Sequence, residues 1–527
     1  MDSRVTRLIR PPAGVRRPAA PRDKIRTVAE VAEIAGQVRR AGRVVVQAHG
    51  TFDLLHLGHV RHLEAAKNLG DTLIVTVTAD RFVNKGPGRP VFNAELRAEM
   101  LATLEYVDWV AINDEPDAVS AIKRIRPDLY IKGHDYHNPA GDITGKIVLE
   151  REAVEAHGGR IQLTDEVTFS STELINRHLN VFEPHIRQHL DSLREDGRLD
   201  EMCELIESVR DYRVLVVGDA IIDEYQYVVP MHKTPKDSVI ATRYQDSELF
   251  AGGVFATANH VASICKQVDI VTCVGDWGTY DDLIAQSLKP NVGLKTFTRA
   301  AAPTTLKRRF VDPSYMRKLF EVYVMNDETL TSDVQGDVDR AIAEMAPDYD
   351  LVIAADYGHG LIAPSSIDAL TTHSRFLAVN TQSNSANLGY NLITKYKRAD
   401  YICIDGPEAR LAVRDRTANL GDIARELIES QVACSKIIIT QGKHGCVTFE
   451  SGGIAHTIPA FAKNVIDTVG AGDAFFAVTA PLVMAGGPMS CVGFIGNVVG
   501  ALKVEIVGHR RSIEKAALIK AIIGLLK

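Results

Sequence analysis

Short runs of β-branched and aliphatic residues alternate along this chain with stretches in which apolar side chains recur every three or four positions. Val28, Val31, Ile34 and Val38 keep helical spacing and predict a short amphipathic helix. Val44-Val45-Val46 then reads as a buried strand, and a glycine-containing turn leads into a helix from about Gly58 to Leu69. The alternation continues with a strand over Leu73–Val77, a helix over Ala94–Tyr106, a strand over Trp109–Ile112 and a helix over Ala118–Ile125. Leu129–Ile131 and Ile161–Leu163 complete the strands of this first half. Residues 180–210 are charged and helical in pattern, which suits a connector. A second series follows, with strands at Val214–Val217, Ile270–Thr272, Leu351–Ile353, Phe376–Val379, Tyr401–Ile404 and Ile437–Thr440.

Strands interleaved with helices imply an α/β protein with two doubly wound parallel-sheet domains. The expected division is a disordered basic tail over 1–26, a domain over 27–180, a helical linker over 181–210 and a larger domain over 211–527. In such sheets ligands bind beyond the carboxyl ends of the strands. From Ala474 to Leu502 no residue is charged, yet Gly486-Gly487-Pro488 interrupts the stretch, so two buried helices are expected rather than a membrane span.

The 527 residues carry 60 Lys and Arg against 67 Asp and Glu, a net charge of −7. That balance does not suit a general nucleic-acid binder, which needs clustered excess cations. Seven scattered cysteines with no C-x-x-C spacing suggest free thiols in a reducing compartment and no thiolate zinc site. The first residues are rich in Arg and Pro rather than apolar, unlike a secretory signal, so a cytoplasmic protein is expected.

One candidate site lies in His49-Gly50-Thr51-Phe52-Asp53-Leu54-Leu55-His56-Leu57-Gly58-His59, where a strand turns into a helix. His56 and His59, three apart, share a face at the helix N-terminus, whose free N–H groups and dipole favour phosphate. His62 continues the row, but no Cys or carboxylate in the segment completes a tetrahedral zinc set. A second candidate is Asp467-Thr468-Val469-Gly470-Ala471-Gly472-Asp473. It lacks the Gly-Lys-Ser/Thr of a Walker loop. The N–H groups of Gly470, Ala471 and Gly472 can instead form an anion hole, with Asp473 beside them as a base or, more plainly, as a helix cap.

The first segment resembles G-x-F-D-x-x-H-x-G-H, the signature of the cytidylyltransferase-like nucleotidyltransferases, and the resemblance extends over residues 43–178. It implies a small Rossmann-like domain. It assigns His56 and His59 to catalysis and Gly50, Thr51, Phe52, Asp53, Lys85, Arg97, Lys132, Asp135, Ser170, Ser171 and Thr172 to the nucleotide, with Lys85 and Arg97 on the β- and γ-phosphates. Residues 211–527 resemble the ribokinase-like carbohydrate kinases, which implies a larger domain with a β lid. On that resemblance Asp219, Asp223, Gly252, Gly253, Lys307, Arg309 and Asp356 bind the sugar, and Asp473 is the base. Thr440, Gly442, Gly445, Glu408, Gly470, Ala471 and Gly472 hold nucleotide and phosphates, with Mg²⁺ brought in by the nucleotide near Glu408. The chain departs from the family pattern at four places: Ala256, the Asn380-Thr381-Gln382 stretch, Asp405 and His359.

Both halves together resemble the bifunctional heptose kinase/nucleotidyltransferases, in the reverse of the usual order. The resemblance implies phosphorylation of a sugar or sugar phosphate by ATP and transfer of a nucleotide to a sugar 1-phosphate. ATP is favoured over CTP as donor by Lys132-Gly133-His134-Asp135-Tyr136, which resembles the K-G-x-D-Y of sugar-phosphate members. It also implies a homodimer through the kinase lid, with no nucleic-acid or membrane partner. The alternative is a CTP-dependent transferase for a polyol or alcohol phosphate, joined to a catalytically dead, sugar-sensing or dimerising second half.

Overall fold

The computed structural model describes residues 20–83, 85–87, 89–133, 146–164, 182–233, 237, 239–326 and 328–527. The chain divides into two compact units, the first ending at residue 180, with the short segment Lys85–Gly88 counted in the second.

The first unit runs α1 (Val28–Arg40), β1 (Val45–Gly50), α2 (Leu57–Lys67), β2 (Thr72–Thr78), α3 (Ala94–Ala102), β3 (Trp109–Asn113), α4 (Val119–Ile125), β4 (Leu129–Lys132), α5 (Lys146–Glu155) and β5 (Arg160–Leu163). The five strands pair in the order β3-β2-β1-β4-β5, all parallel. Both faces are covered, as a parallel sheet requires. Val46, Val75, Leu63 and Leu101 pack on one side and Val31, Val45, Ile74 and Ile125 on the other. α1 opens with a reciprocal Thr27–Glu30 capping box. Residues 1–19 of the expected tail lie outside the described residues. Residues 20–26 are a correction: Pro21–Lys24 form a 3-10 turn, Ile25 bridges to Val110, and the Lys24 ammonium donates to the carbonyls of Leu104 and Val107 at 3.0 and 2.9 Å. The backbone here has partners, so it does not belong to a solvated tail.

The second unit begins with α6 (Pro184–Glu195) and α7 (Arg198–Ser208). β6 (Arg213–Gly218), β7 (Ala220–Lys233), β8 (Ile240–Gly253), α8 (Val254–Ala262), β9 (Gln267–Trp277), α9 (Asp281–Ser287), β10 (Val292–Pro303), β11 (Thr305–Asp312) and β12 (Arg317–Val324) follow. Next come α10 (Ser332–Met345), β13 (Leu351–Asp356), α11 (Pro364–His373), β14 (Leu377–Thr381), β15 (Tyr401–Asp405), α12 (Gly406–Val413), α13 (Leu420–Glu426), β16 (Lys436–Thr440), β17 (Cys446–Glu450) and β18 (His456–Ile458). α14 (Ala471–Met484), α15 (Met489–Lys503) and α16 (Lys515–Leu526) close the chain. Nine strands form one sheet in the order β10-β9-β6-β13-β14-β15-β16-β17-β18, parallel through β16. Four more form a separate sheet, β12-β11-β7-β8, the lid.

The expected connector is a finding of a different kind. Leu190, Leu193, Met202, Ile206 and Val209 of the 184–209 stretch are buried in the main core of the second unit. The uncharged stretch forms α14 and α15, joined at Gly486, whose φ is +80°. Its polar side chains are satisfied internally: Thr479 Oγ1 lies 2.8 Å from the Tyr401 hydroxyl, and the Asn497 amide donates to the carbonyls of Ile458 and Pro459. Among the described residues no helix is long and apolar enough to cross a membrane. All seven cysteines are free thiols.

Candidate active sites

β1 and β4 are neighbours although they are far apart in sequence, so strand order reverses between them. That is where a parallel sheet opens a crevice at its carboxyl edge. The chain leaves β1 there and enters α2 through His56, the residue that caps the helix. The Gly58 N–H donates to His56 Nδ1 at 3.1 Å, which makes Nε2 the nitrogen that carries the proton of the neutral ring. His59 stacks on His56 with ring centroids 4.0 Å apart, and Phe52 meets His59 edge-on at 5.3 Å. Phe52 adopts φ +48°, a strained value that this ring contact helps to hold. Two imidazoles thus lie together at the N-terminus of α2.

Several of the expected nucleotide ligands hold the surrounding loops. The Asp53 carboxylate is fully buried and accepts from Arg89 Nη1 at 2.8 Å and from the N–H groups of Val91 and Phe92 at 2.6 and 3.3 Å. Arg97 is also fully buried. Its guanidinium donates to the carbonyls of Phe92, Thr51 and Thr78 at 2.8, 2.5 and 2.8 Å and to Asp80 at 2.5 Å. With these four acceptors Arg97 ties Thr51 to the end of β2. Lys132 forms a buried ion pair with Glu150 at 2.7 Å. Lys85 falls in the short segment counted with the second unit. Asp135, Ser170, Ser171 and Thr172 lie outside the described residues. His62 donates to or accepts from Thr164 Oγ1 at 2.8 Å rather than extending a metal-binding row. Burial and the Lys132 charge push the His62 pKa down.

In the second unit Gly470 caps α14 with φ +74°, and a Cβ there would lie 2.4 Å from His509 Cε1. Asp473, in the first turn of α14, accepts through Oδ1 from the Tyr357 hydroxyl at 3.1 Å and the Gln382 amide at 2.8 Å. Burial raises its pKa, while the His509 charge and the Tyr357 bond oppose that rise. Asp223 lies nearby on β7, hydrogen-bonded to Arg309 and 3.3 Å from His509 Nε2. Burial would raise its pKa, but the bonds from His509 and Arg309 outweigh it and hold the carboxyl well below its usual range. Gly252 sits opposite, where a Cβ would fall 2.0 Å from Asp223 Oδ2. Lys307 on β11 is buried with its ammonium 5.5 Å from the Tyr323 ring centroid, and burial pulls its pKa down. Gly253 lies in the β8–α8 turn with φ +53°.

Asp219 and Asp356, expected on the sugar, also bond groups of the protein. Asp219 Oδ2 accepts from the N–H groups of Tyr357 and His359, and Oδ1 from that of Leu361. Asp356 accepts from the Tyr396 hydroxyl at 2.8 Å, Lys395 at 2.5 Å and the Asn391 amide at 3.1 Å. Both shape the turn that carries Tyr357. On the nucleotide side, Thr440 ends β16, and the Gln441–Gly445 turn uses Gly442 and Gly445 at φ +53° and +91°. Glu408 forms a capping box with Asp405 and accepts from the Ser383 N–H at 2.9 Å. Burial and the Asp405 charge push its pKa up to about 8. Among the described residues no group of three or more His, Cys, Asp or Glu gathers to hold a metal ion.

Sequence reasoning missed Tyr357 and His509 as site residues. His509 carried no motif signal, whereas Tyr357 stood inside the quoted Asp356-Tyr357-Gly358-His359-Gly360. Lys503, fully buried, donates to the carbonyls of Val469 and Gly508 at 2.8 Å each, and so fixes the strands of chain that carry Gly470 and His509.

Residues 48–177 match the cytidylyltransferase-like family and residues 211–516 match the pfkB family carbohydrate kinases. The bifunctional protein HldE of Syntrophotalea carbinolica is 39% identical over 163 residues, 30% of this chain and 32% of that protein. HldE of Methylococcus capsulatus is 43% identical over 158 residues, again 30% and 32%. Each match therefore spans about a third of the relative's length. Among solved structures, phosphofructokinase-2 from Escherichia coli in complex with potassium is similar with a TM-score of 0.50 and 13% identity, covering 60% of this chain and 100% of that one. A ribokinase from Thermotoga maritima is similar with a TM-score of 0.47 and 19% identity, covering 59% and 99%.

Proposed function

The chain belongs to the pfkB family of carbohydrate kinases, and from that premise we propose a bifunctional enzyme that phosphorylates a sugar or sugar phosphate with ATP and transfers a nucleotide from an NTP to a sugar 1-phosphate. The observation that carries the reading is Asp473, a half-buried carboxylate at the start of α14 beside Gly470–Gly472, with Asp223, Arg309 and Lys307 nearby. Asp223, kept ionised, accepts bonds from sugar hydroxyls. Asp473 takes the proton of the attacking hydroxyl as its oxygen bonds to the γ-phosphorus, and ADP leaves. The N–H groups at the start of α14 hold the transferred phosphoryl. Asp405 and Glu408 are the residues that would lie towards Mg²⁺ brought in by the nucleotide, and the ion would neutralise phosphate charge there.

At the first site the anomeric phosphate attacks the α-phosphorus of the NTP and pyrophosphate leaves. His56 Nε2–H, His59 and the N-terminus of α2 stabilise the added charge. ATP is the favoured donor, and a heptose-type sugar the favoured acceptor. Exposed Leu249, Phe320 and Val322 on the lid sheet support a homodimer through that sheet.

The test is a matrix of NTPs against hexose and heptose phosphates, reading ADP and pyrophosphate separately. ADP formation with one sugar and pyrophosphate release with its 1-phosphate are expected. Pyrophosphate release with CTP and a polyol phosphate, without any ADP formation, would replace this reading with a single-activity cytidylyltransferase.

A further inference from the structure

Asp473 is held through one oxygen only. Tyr357 and Gln382 both donate to Oδ1, and among the described residues nothing hydrogen-bonds to Oδ2. The two donors come from different places, the turn after β13 and the end of β14, and both are fixed by asparagines. The Asn384 and Asn387 amides donate to the Tyr357 carbonyl at 2.9 and 3.0 Å. The Asn391 amide donates to the carbonyls of Asp356 and Gln382 at 2.9 and 3.1 Å, joining the two turns. Tyr357 is further set by Thr257 Oγ1, 3.2 Å from its hydroxyl.

We propose that Tyr357 and Gln382 form a positioning clamp for the kinase base: they fix Asp473 through Oδ1, present Oδ2 to the sugar hydroxyl and set the pH at which the base works. The inference rests on the reading of Asp473 as the base. In the step it serves, the sugar oxygen bonds to the γ-phosphorus, its proton passes to Asp473 Oδ2, and the bond to ADP breaks. A carboxylate held by two donors on one oxygen cannot rotate, so its other lone pairs keep one direction. Donation to the ionised form also favours that form, against the burial that disfavours it. Other titratable groups act on Asp473 from every side: Asp223 of β7, Lys307 of β11, Cys403 of β15, Lys503 of α15 and His509 after it. None of these donates a hydrogen bond to it, which leaves the clamp as its direct control.

The test is the pH profile of kcat for sugar-dependent ADP formation in the full chain. Gln382→Met and Tyr357→Phe each remove one donor to the ionised carboxylate, so the acid limb should move up by roughly 0.5–1 pH unit. Gln382→Lys keeps a donor and adds charge, so its limb should move down. KM for ATP should change less than threefold in all three. Tyr357→Phe removes a single oxygen, which keeps a folded variant available if either Gln382 change unfolds the protein. An unmoved acid limb in Gln382→Met and Tyr357→Phe, alongside an inactive Asp473→Asn, overturns the clamp alone. Full kinase activity in Asp473→Asn overturns the base reading and the clamp with it.

Discussion

His56 and His59 make the sharpest prediction at the scale of single residues. Replacing either with Ala removes a donor from the place where charge builds on phosphorus, and pyrophosphate release should fall ~10²–10³-fold while ADP formation persists. Steady-state assay of both products checks it. Gly252 makes a second. A methyl at Gly252 falls 2.0 Å from Asp223 Oδ2, so Gly252→Ala must displace that carboxylate. Sugar-dependent ADP formation should drop ~10²-fold, the scale of an ångström's misplacement. KM for ATP should hardly change. The motif letters were legible in the sequence, but the work of each letter was not. Asp53, Arg97, Asp219 and Asp356 all stand at motif positions, and in the structure each also bonds a backbone N–H or carbonyl group of an adjoining loop, Asp356 together with the side chains of Tyr396, Lys395 and Asn391. A sequence pattern cannot separate a residue that touches a ligand from one that shapes the loop that does. His509 stayed hidden because its partners Asp223 and Gly470 are remote in sequence.

Among elements, the start of α12 has its own pH dependence. Glu408 titrates near 4.5 when unfolded and is pushed up to about 8 by burial and Asp405 in the fold. A carboxyl whose folded pKa is raised binds its proton more tightly when folded. The stability this brings is complete below pH 4.5 and is lost as the pH rises to about 8. Urea midpoints of the second unit should therefore fall across that window, and Glu408→Gln should flatten the fall. An unchanged slope in the variant would mean that other groups carry the dependence. The buried parallel strands were easy to read, because apolar runs are required on a sheet covered on both faces. The lid strands were not read from the pattern. β8 and β12 are largely exposed, so their side chains carry little alternation.

For the molecule as a whole, the two proposed reactions should separate cleanly. Asp473→Asn keeps the size of the side chain but cannot accept a proton, so ADP formation should fall ~10²-fold or more. Pyrophosphate release from a supplied sugar 1-phosphate should be unchanged, and a parallel loss of both would show that the activities are not independent. The helices α6 and α7 bear on how such a gene could be divided in evolution or in the laboratory. The apparent seam at Asp211, where the second family's likeness begins, is not where the polypeptide can be cut. A chain starting there would leave behind Leu190, Leu193, Met202, Ile206 and Val209, each contributing ~1.5–3 kcal/mol of burial. It would also bare the faces they cover. Such a piece should aggregate, whereas one starting at Phe182 should unfold in a single cooperative transition. A lineage that splits this gene must therefore hand both helices to the kinase, even though they lie outside its family boundary.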